Sequence, residues 1–562
     1  DPLCRHELDL RWSAYGARTH SLLVSYARRR IAADTPPFVD KDEQRWWIDA
    51  HDEAQKSYHI SESRARFIDL DDGAQRRQLG LVWQARSDAL VLPKGNLPNG
   101  LNPGEVSFEL LTPHLDSTQW KALRVLTQQS EQRYLKTLDQ SLLDGGKAEY
   151  EALAGPTEIA QIDKTALQAY DVLPPPFEIR AALREIGYLP MKLFFETSQP
   201  GEEENLWSST CNFARYADLA GFFKVREYNE TPSHGVTKTQ YDDYRLRVRS
   251  VELPDGCTTS VTHDYHTLLP SSILDANGNI QEVMYDAAGQ PLALSFHGTE
   301  NGVAAGFHAL SDFVRPDNLL PGPAIEDPVG AVQGAASTLR KDLFSWMGVL
   351  PADISAELLA TWIASGDVLP SGHICASARQ RLRQRGALTA ADQALSEVIA
   401  SVPREPLHSV VFSADRYPGE TIAAQIQISK TCVDGFGRTL QTQQLVEPGI
   451  AYAVGNDGAL IVEDGKLLEV HAESRWRVSA RVEYNNKGLA VRQFRPFFAD
   501  THGYVNDQSL QRFGYFDQLF YDPLGRPIKL INAKGYFSRE TYHPWYQASE
   551  DFNDTVEEVP LH

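Results

Sequence analysis

Over most of the chain, apolar and polar residues alternate with a period of two, the pattern of strands with one buried face. HELDLRWSAYGARTHSLLVSYARR (6–29) alternates on both sides of a turn at Ser13-Ala14-Tyr15-Gly16. YHISESRARFIDLDDGAQRRQLGLVWQARS (58–87) does the same around Asp71-Asp72-Gly73. Residues 1–115 read as one β segment, 200–300 as a second and 406–562 as a third. Two stretches depart from the period. In 116–199, DSTQWKALRVLTQQSEQRYLKTLDQSLLDGG (116–146) opens on cap-type residues and closes on Gly145-Gly146, which predicts a helix. FEIRAALREIGY (177–188) follows Pro174 to Pro176 and ends at Gly187, a second helix. In 301–405, DISAELLATWIASG (353–366) puts Ile354, Leu358 and Trp362 on one helical face. LTAADQALSEVIASV (388–402) carries Thr389 and Asp392 at capping-box spacing, with Leu395, Val398, Ile399 and Val402 on one side. The expected fold is mainly β with two helical insertions.

The turns between strands repeat a frame: an apolar or aromatic residue, then Asp, Asn or Ser, two variable residues, then Gly. Tyr285-Asp286-Ala287-Ala288-Gly289-Gln290 matches Tyr521-Asp522-Pro523-Leu524-Gly525-Arg526. Val433-Asp434-Gly435-Phe436-Gly437-Arg438 fits it, as do Tyr484-Asn485-Asn486-Lys487-Gly488, Leu274-Asp275-Ala276-Asn277-Gly278 and Ile531-Asn532-Ala533-Lys534-Gly535. Trp12 to Gly16 is a weaker copy. The Asx side chain accepts N–H bonds from the turn it opens. The middle pair takes a type I turn, and the Gly supplies the positive φ that returns the chain to the ladder. The lead residue packs across to the partner strand. Close successive turns, such as Asp275 with Asp286, predict a continuing antiparallel ribbon.

Composition narrows the partners. The 562 residues include 54 basic and 75 acidic side chains, a net charge of −21, so nucleic acid and anionic membranes are poor partners for the chain as a whole. Five cysteines, Cys4, Cys211, Cys257, Cys375 and Cys432, are far apart and form no CxxC pair. They read as small buried residues rather than as disulfides or zinc ligands. No apolar run approaches the roughly 18 residues of a membrane-spanning helix. The start, DPLCRHELDLRW, lacks the basic and apolar regions of a signal peptide and reads as the middle of a longer fold.

Y-D-x-x-G-R is the hallmark of RHS/YD repeats. VDGFGRTLQTQQLVEPG (433–449), RWRVSARVEYNNKGLAVRQFRPFFAD (475–500) and LFYDPLGRPIKLINAKGYFSRETYHPWYQASEDFNDT (519–555) resemble the C-terminal part of the B component of ABC-type insecticidal toxin complexes, the Tc toxins. HDYHTLLPSSILDANGNIQEVMYDAAGQPLALSFHGTENG (263–302) is similar to the preceding repeat block, and residues 6–29 to its entry. The resemblance implies an RHS/YD-repeat antiparallel spiral forming a curved hollow shell. It implies a secreted, non-enzymatic component without cofactor that joins a C-type partner and encloses its toxic cargo. An A-type translocation channel would be met only through upstream domains, of which nothing is recognisable here. The repeat-turn residues Asp275, Gly278, Tyr285, Asp286, Gly289, Asp434, Gly437, Arg438, Tyr484, Gly488, Tyr521, Asp522, Gly525, Arg526, Asn532 and Gly535 are then structural, with no catalytic or metal residue among them.

Other chemistry is weaker in the sequence. His373 and Cys375 are near neighbours, which does not supply nucleophile geometry. His263 and His266, three apart on a strand, face opposite ways. Asp242-Asp243 and Asp71-Asp72 sit in turns, whereas glycosidases set two carboxylates across a cleft. Arg379, Arg381, Arg383 and Arg385 read as a solvated helix end or an internal ion-pair face. The competing function is a surface β-protein that binds or hydrolyses glycans.

Overall fold

A computed structural model describes residues 5–28, 30–36, 39–73, 75–93, 115, 117–172, 178–196, 205–505, 508–543 and 547–559. Cys4 and Pro174 to Pro176 lie outside these residues. Strand outweighs helix, 42% to 17%, so the protein is mainly β. The chain forms two compact units, residues 1–258 with 540–554 and residues 259–539 with 555–562.

The first unit holds an eight-stranded sheet. Its strands are β1 (Arg5–Trp12), β2 (Arg18–Ser25), β3 (Ser57–Asp71), β4 (Arg77–Pro93), β5 (Val125–Tyr134), β6 (Ala154–Ile162), β7 (Leu189–Pro190) and β8 (Trp207–Cys211). They lie in the order β1-β2-β3-β4-β5-β6-β8-β7. Alternation decides the buried face: Leu22 and Val24 of β2, Tyr58 and Ile60 of β3, and Leu90 and Leu92 of β4 pack with Trp120 into one core. Further strands, Phe213–Tyr216, Val225–Asn229, Thr237–Tyr241 and Val248–Glu252, pair antiparallel in sequence.

Two expectations fail in this unit. Residues 116–146 are not one helix, because only Thr118–Leu123 is helical and β5 follows directly. Its Gln- and Glu-rich composition suits a helix, but β5 pairs on both sides, with β4 and with β6. Two ladders outweigh local propensity. Conversely, the strand-rich first segment contains a helix, Lys41–Asp49, opened by Asp40, whose side chain accepts from Asp42 and Glu43 N–H. The helix Ile179–Glu185 forms as expected, with Gly187 at a φ of +95°.

The second unit is a longer antiparallel meander. It runs through Thr258–Asp264, Leu269–Leu274, Ile280–Tyr285, Pro291–Glu300, Ser337–Asp342, Leu407–Ala414, Ile426–Val433, Thr439–Val446, Arg475–Ser479 and Phe497–Ala499. Tyr452 meets Ala499 in a local parallel pairing. Val482–Tyr484, Ala490–Phe494, Phe516–Tyr521, Pro527–Ile531 and Phe537–Tyr542 form another sheet of the same kind. Between Asp342 and Leu407 the chain leaves the meander as a helical insertion. The helices Ala356–Ala364, Ala378–Gln384 and Ala390–Ser401 pack Trp362, Val368, Leu382, Leu395 and Ile399 together. Thr389 and Asp392 form a full capping box. The insertion is shorter than 301–405 because Ser337–Asp342 belongs to the sheet.

Candidate functional site

The repeat turns share one backbone geometry. In each, the Gly N–H donates to the carbonyl of the Asp or Asn three residues earlier. The distances are 3.1 Å at Gly278, 3.0 Å at Gly289, Gly437 and Gly525, and 2.9 Å at Gly488 and Gly535. The opening residue's own N–H then donates past the Gly, from Asp275 to Asn279, Asp434 to Arg438 and Asp522 to Arg526. These Gly residues all have positive φ, from +76° at Gly289 to +89° at Gly535. A type I turn with a glycine bulge gives this pattern. The carboxylate completes it: Asp522 Oδ1 accepts from Leu524 and Arg526 N–H, both at 2.9 Å, and Asp434 Oδ1 from Phe436 and Arg438 N–H. Asp286 and Asp275 do the same within their turns.

In two turns an arginine closes the far side. Arg438 Nε donates to Asp434 Oδ2 at 2.6 Å, and Arg526 Nε to Asp522 Oδ2 at 2.7 Å. Partial burial works against ionising Asp434 and Asp522, but the N–H and guanidinium bonds outweigh it and hold both carboxyls below the usual range. Asp275 is lowered first by the Asn279 side chain.

The tyrosine before the turn has a role that alternation alone does not reveal. Tyr521 Oη donates to Ala490 O at 2.7 Å, Tyr484 Oη to Thr439 O at 3.0 Å and Tyr285 Oη to Pro270 O at 2.7 Å. Each acceptor lies just after an earlier turn, so the hydroxyl ties one hairpin to its predecessor. The turns also touch along one edge. The Arg438 guanidinium lies 4.5 Å from the Tyr484 ring centroid, and Lys487 Nζ donates to Pro523 O at 2.7 Å. Three further turns use the same backbone bonds: Leu253–Gly256, Leu369–Gly372 and Gly455–Gly458. They lack the opening Asx, so a frame that demands it misses them, and the Gly in fourth position is their common signal.

The other candidates resolve into structural pairings. His373 is buried with Nε2 2.7 Å from Asp342 Oδ1 and Nδ1 2.8 Å from Ser371 Oγ. It fastens the helical insertion to the strand it leaves, rather than pairing with Cys375. His266 Nε2 lies 3.2 Å from Ala287 O, bonding the neighbouring turn. Arg381 and Arg385 clamp Asp367, which is fully buried, so part of the arginine run is an internal ion-pair face. Asp71 bonds Tyr15, Gly73 and Arg77, and Asp242 caps Leu246 N–H. Cys432 is buried, and burial pushes its thiol up to about 12. Cys257 is exposed, contrary to expectation, because it follows the Leu253–Gly256 turn.

The sequence reading overlooked an ion network on the inner face of the first unit. Tyr58 and Ile60 of β3 are succeeded on the same face by Glu62 and Arg64, and Leu92 and Leu90 of β4 by Asp88 and Arg86. Glu62 faces Asp88 across the ladder. Arg124 Nε binds Glu62 at 2.7 Å, Arg64 Nη2 binds it at 2.6 Å and His20 Nε2 lies 2.8 Å away. Burial alone raises the Glu62 carboxyl, but these partners outweigh it and lower it to about 2. Period-two counting from Tyr58 and Leu92 places these charges inward. Nearby, Glu131, Glu158 and Glu196 line a cleft, each already bonded, to Gln84, Ser208 and Arg86.

Comparison with known proteins places this architecture. Residues 1–81 match the family model of the insecticide toxin TcdB middle/C-terminal region. A crystal structure of TcdB2-TccC3-Cdc42 matches 100% of this chain at 28% identity with a TM-score of 0.68. A crystal structure of TcdB2-TccC3 matches 99% at 27% identity and a TM-score of 0.65. The Photorhabdus luminescens Tc holotoxin pore with a point-substituted TccC3 matches 99% at 27% identity and 0.68. The chain spans only about a quarter of these solved chains, 26%, 23% and 25% respectively. No curated protein sequence matches it.

Proposed function

We propose that the chain is the C-terminal, RHS/YD-repeat portion of a Tc toxin B component and builds part of a shell around a toxic polypeptide. On this reading it is a component of a toxin complex, as the proteins it is similar to are. The finer reading is that, with a C-type partner, its strands wall off a cargo, and that the complex acts outside the cell that makes it. One observation carries this: the likeness to TcdB2 bound to TccC3 extends over 99–100% of the chain rather than over a single motif. The repeat turns support it, because each returns the chain to an antiparallel ladder and the three led by a tyrosine tie themselves to the turn before. Such a wall propagates by nearest-neighbour pairing. Its role is confinement, and the turn residues act on strand geometry rather than on a substrate.

Protease protection tests the proposal. The chain, joined to its upstream domains and co-expressed with a C-type chain carrying a protease-sensitive cargo, should leave the cargo uncut while an exposed control is digested. Digestion of the cargo at the control rate in the purified complex would overturn the reading.

A further inference from the structure

In the second unit, Thr501–Tyr504 follows strand Phe497–Ala499 and is held by side chains rather than by a ladder. Gln443 Nε2 donates to Thr501 O at 3.3 Å and to Gly503 O at 2.9 Å, and Lys430 Nζ donates to His502 O at 3.0 Å. The Tyr504 N–H donates to Glu405 Oε1 at 2.8 Å, and the Arg481 guanidinium lies 5.3 Å from the Tyr504 ring centroid. Gln443 and Lys430 are cross-strand neighbours, 0% and 1% exposed. Lys430 Nζ also lies 2.6 Å from Glu405 Oε2, so one buried ion pair holds the segment at two points. Thr501 to Tyr504 also line a cavity of about 620 Å³ with Trp346, Arg404 and Asp457, which leaves the segment room to move.

Two histidines border the same ion pair. His408 Nδ1 lies 3.0 Å from Pro406 O and 3.7 Å from Glu405 Oε2. A carbonyl oxygen only accepts, so Nδ1 carries the proton of the neutral ring and acid adds the second at Nε2. Asp342 and Cys432 flank His408 on the neighbouring strands, and Asp342 is bonded to His373. His502 packs its ring edge-on against Trp476, 5.8 Å between centroids. Burial first, and the Lys430 ammonium second, hold both imidazoles below 6.5, with Glu405 opposing. Burial raises the Glu405 carboxyl, but Lys430 outweighs it and holds it below its ordinary value. Near neutral pH the segment therefore sits over one ammonium and one carboxylate, with both rings uncharged.

We infer that Thr501–Tyr504 is an acid-released strap: protonation of His408 and His502 sets their charges against Lys430 and frees the segment while the sheet beneath it stays paired. Release lets water reach all three cations. The strap is the part that yields because side chains fasten it, whereas its neighbours are fastened by strand pairing. A histidine held below its ordinary value in the closed form and restored to it in the open form takes up a proton on opening, so falling pH favours the open form. The device belongs to the second unit alone and operates whether or not the chain walls off a cargo.

Hydrogen exchange of the full chain, corrected for intrinsic rates and read from pH 7 to pH 5, tests the strap. Protection of the Gly503 and Tyr504 amides should fall at least about tenfold further than that of Val410 and Phe412 in the neighbouring sheet. The His408→Gln, His502→Gln double variant should keep the strap protected at pH 5. His471→Gln, at a histidine whose side chain is 60% exposed, should respond as wild type does. Unchanged strap protection in wild type would overturn the switch, and so would a full loss in the double variant. An equal fall at Val410 and Phe412 would show the whole sheet loosening and would overturn it too. If the double variant does not fold, the two single variants carry the test, and a wild-type loss in both overturns the assignment. Each of these outcomes leaves the shell reading to the protease-protection assay.

Discussion

Gly525 holds a φ of +86°, and a Cβ there would meet only Leu489 Cδ1 at 3.5 Å. The constraint at this position is backbone conformation, not space. Gly525→Val should therefore destabilise the second unit by about 1–2 kcal/mol, the cost of a left-handed conformation for an L residue. Gly525→Asn should lose only part of that, because Asn tolerates this region. Urea unfolding of the pair separates the two, and equal losses would show that the turn does not depend on φ. The tyrosines make a second residue-level case. Tyr521→Phe removes the bond to Ala490 O and should cost about 0.5–1.5 kcal/mol while leaving the ring packed. The pairing of Tyr with Asp in these turns thus has a local part, the Asp, and a cross-strand part, the hydroxyl.

The helical insertion has its own core at the scale of an element. Trp362 is 1% exposed, and its Nε1 donates to Ala391 O at 3.0 Å. Trp362→Ala should cost about 3–5 kcal/mol. Hydrogen exchange should localise the loss to 343–406, since this core is separate from that of Val410, Phe412, Ile428 and Trp476. Exchange that rises equally across the sheet would contradict an independent insertion. The insertion's helices were legible because their signals are short-range: a capping box three residues wide and an apolar face repeated every turn. β5 was not, since Val125–Tyr134 has no sequence feature that announces two flanking ladders.

Across the whole molecule, acid acts on buried groups in both units, Glu62 in the first and His408 in the second among them. Glu62 is held down to about 2 from an ordinary 4.5. A depressed carboxyl contributes stability above the unfolded value, and this is lost as pH falls from 4.5 towards 2. The first unit should lose on the order of 3 kcal/mol in that window. Asp88, raised mainly by its burial, partly offsets this, because its protonation relieves a buried charge. In the second unit, burial and then the Lys430 ammonium hold His408 below 6.5, with Glu405 partly opposing. A lowered histidine stays neutral when folded, so stability falls as pH drops below 6.5 and the unfolded chain takes up the proton. Melting curves between pH 7 and pH 3 should show the second unit weakening first. His408→Gln should flatten that early slope, and an unchanged slope would exclude His408 as its source.

The sequence by itself determined the repeat turns and the caps. Asp522 and Gly525, or Thr389 and Asp392, act on backbone groups within four residues, so their chemistry is complete wherever the segment goes. Alternation along Tyr58–Arg64 also determined that Glu62 lies on the core side of its strand. Only the tertiary structure decided what Glu62 meets there, because Arg124 and His20 are 62 and 42 positions away. It likewise made β5 a strand, and it laid Thr501–Tyr504 against Lys430, Gln443 and Glu405. Each of those outcomes depends on which strands pair, and strand pairing is fixed by non-local ladders and burial rather than by neighbours in the chain.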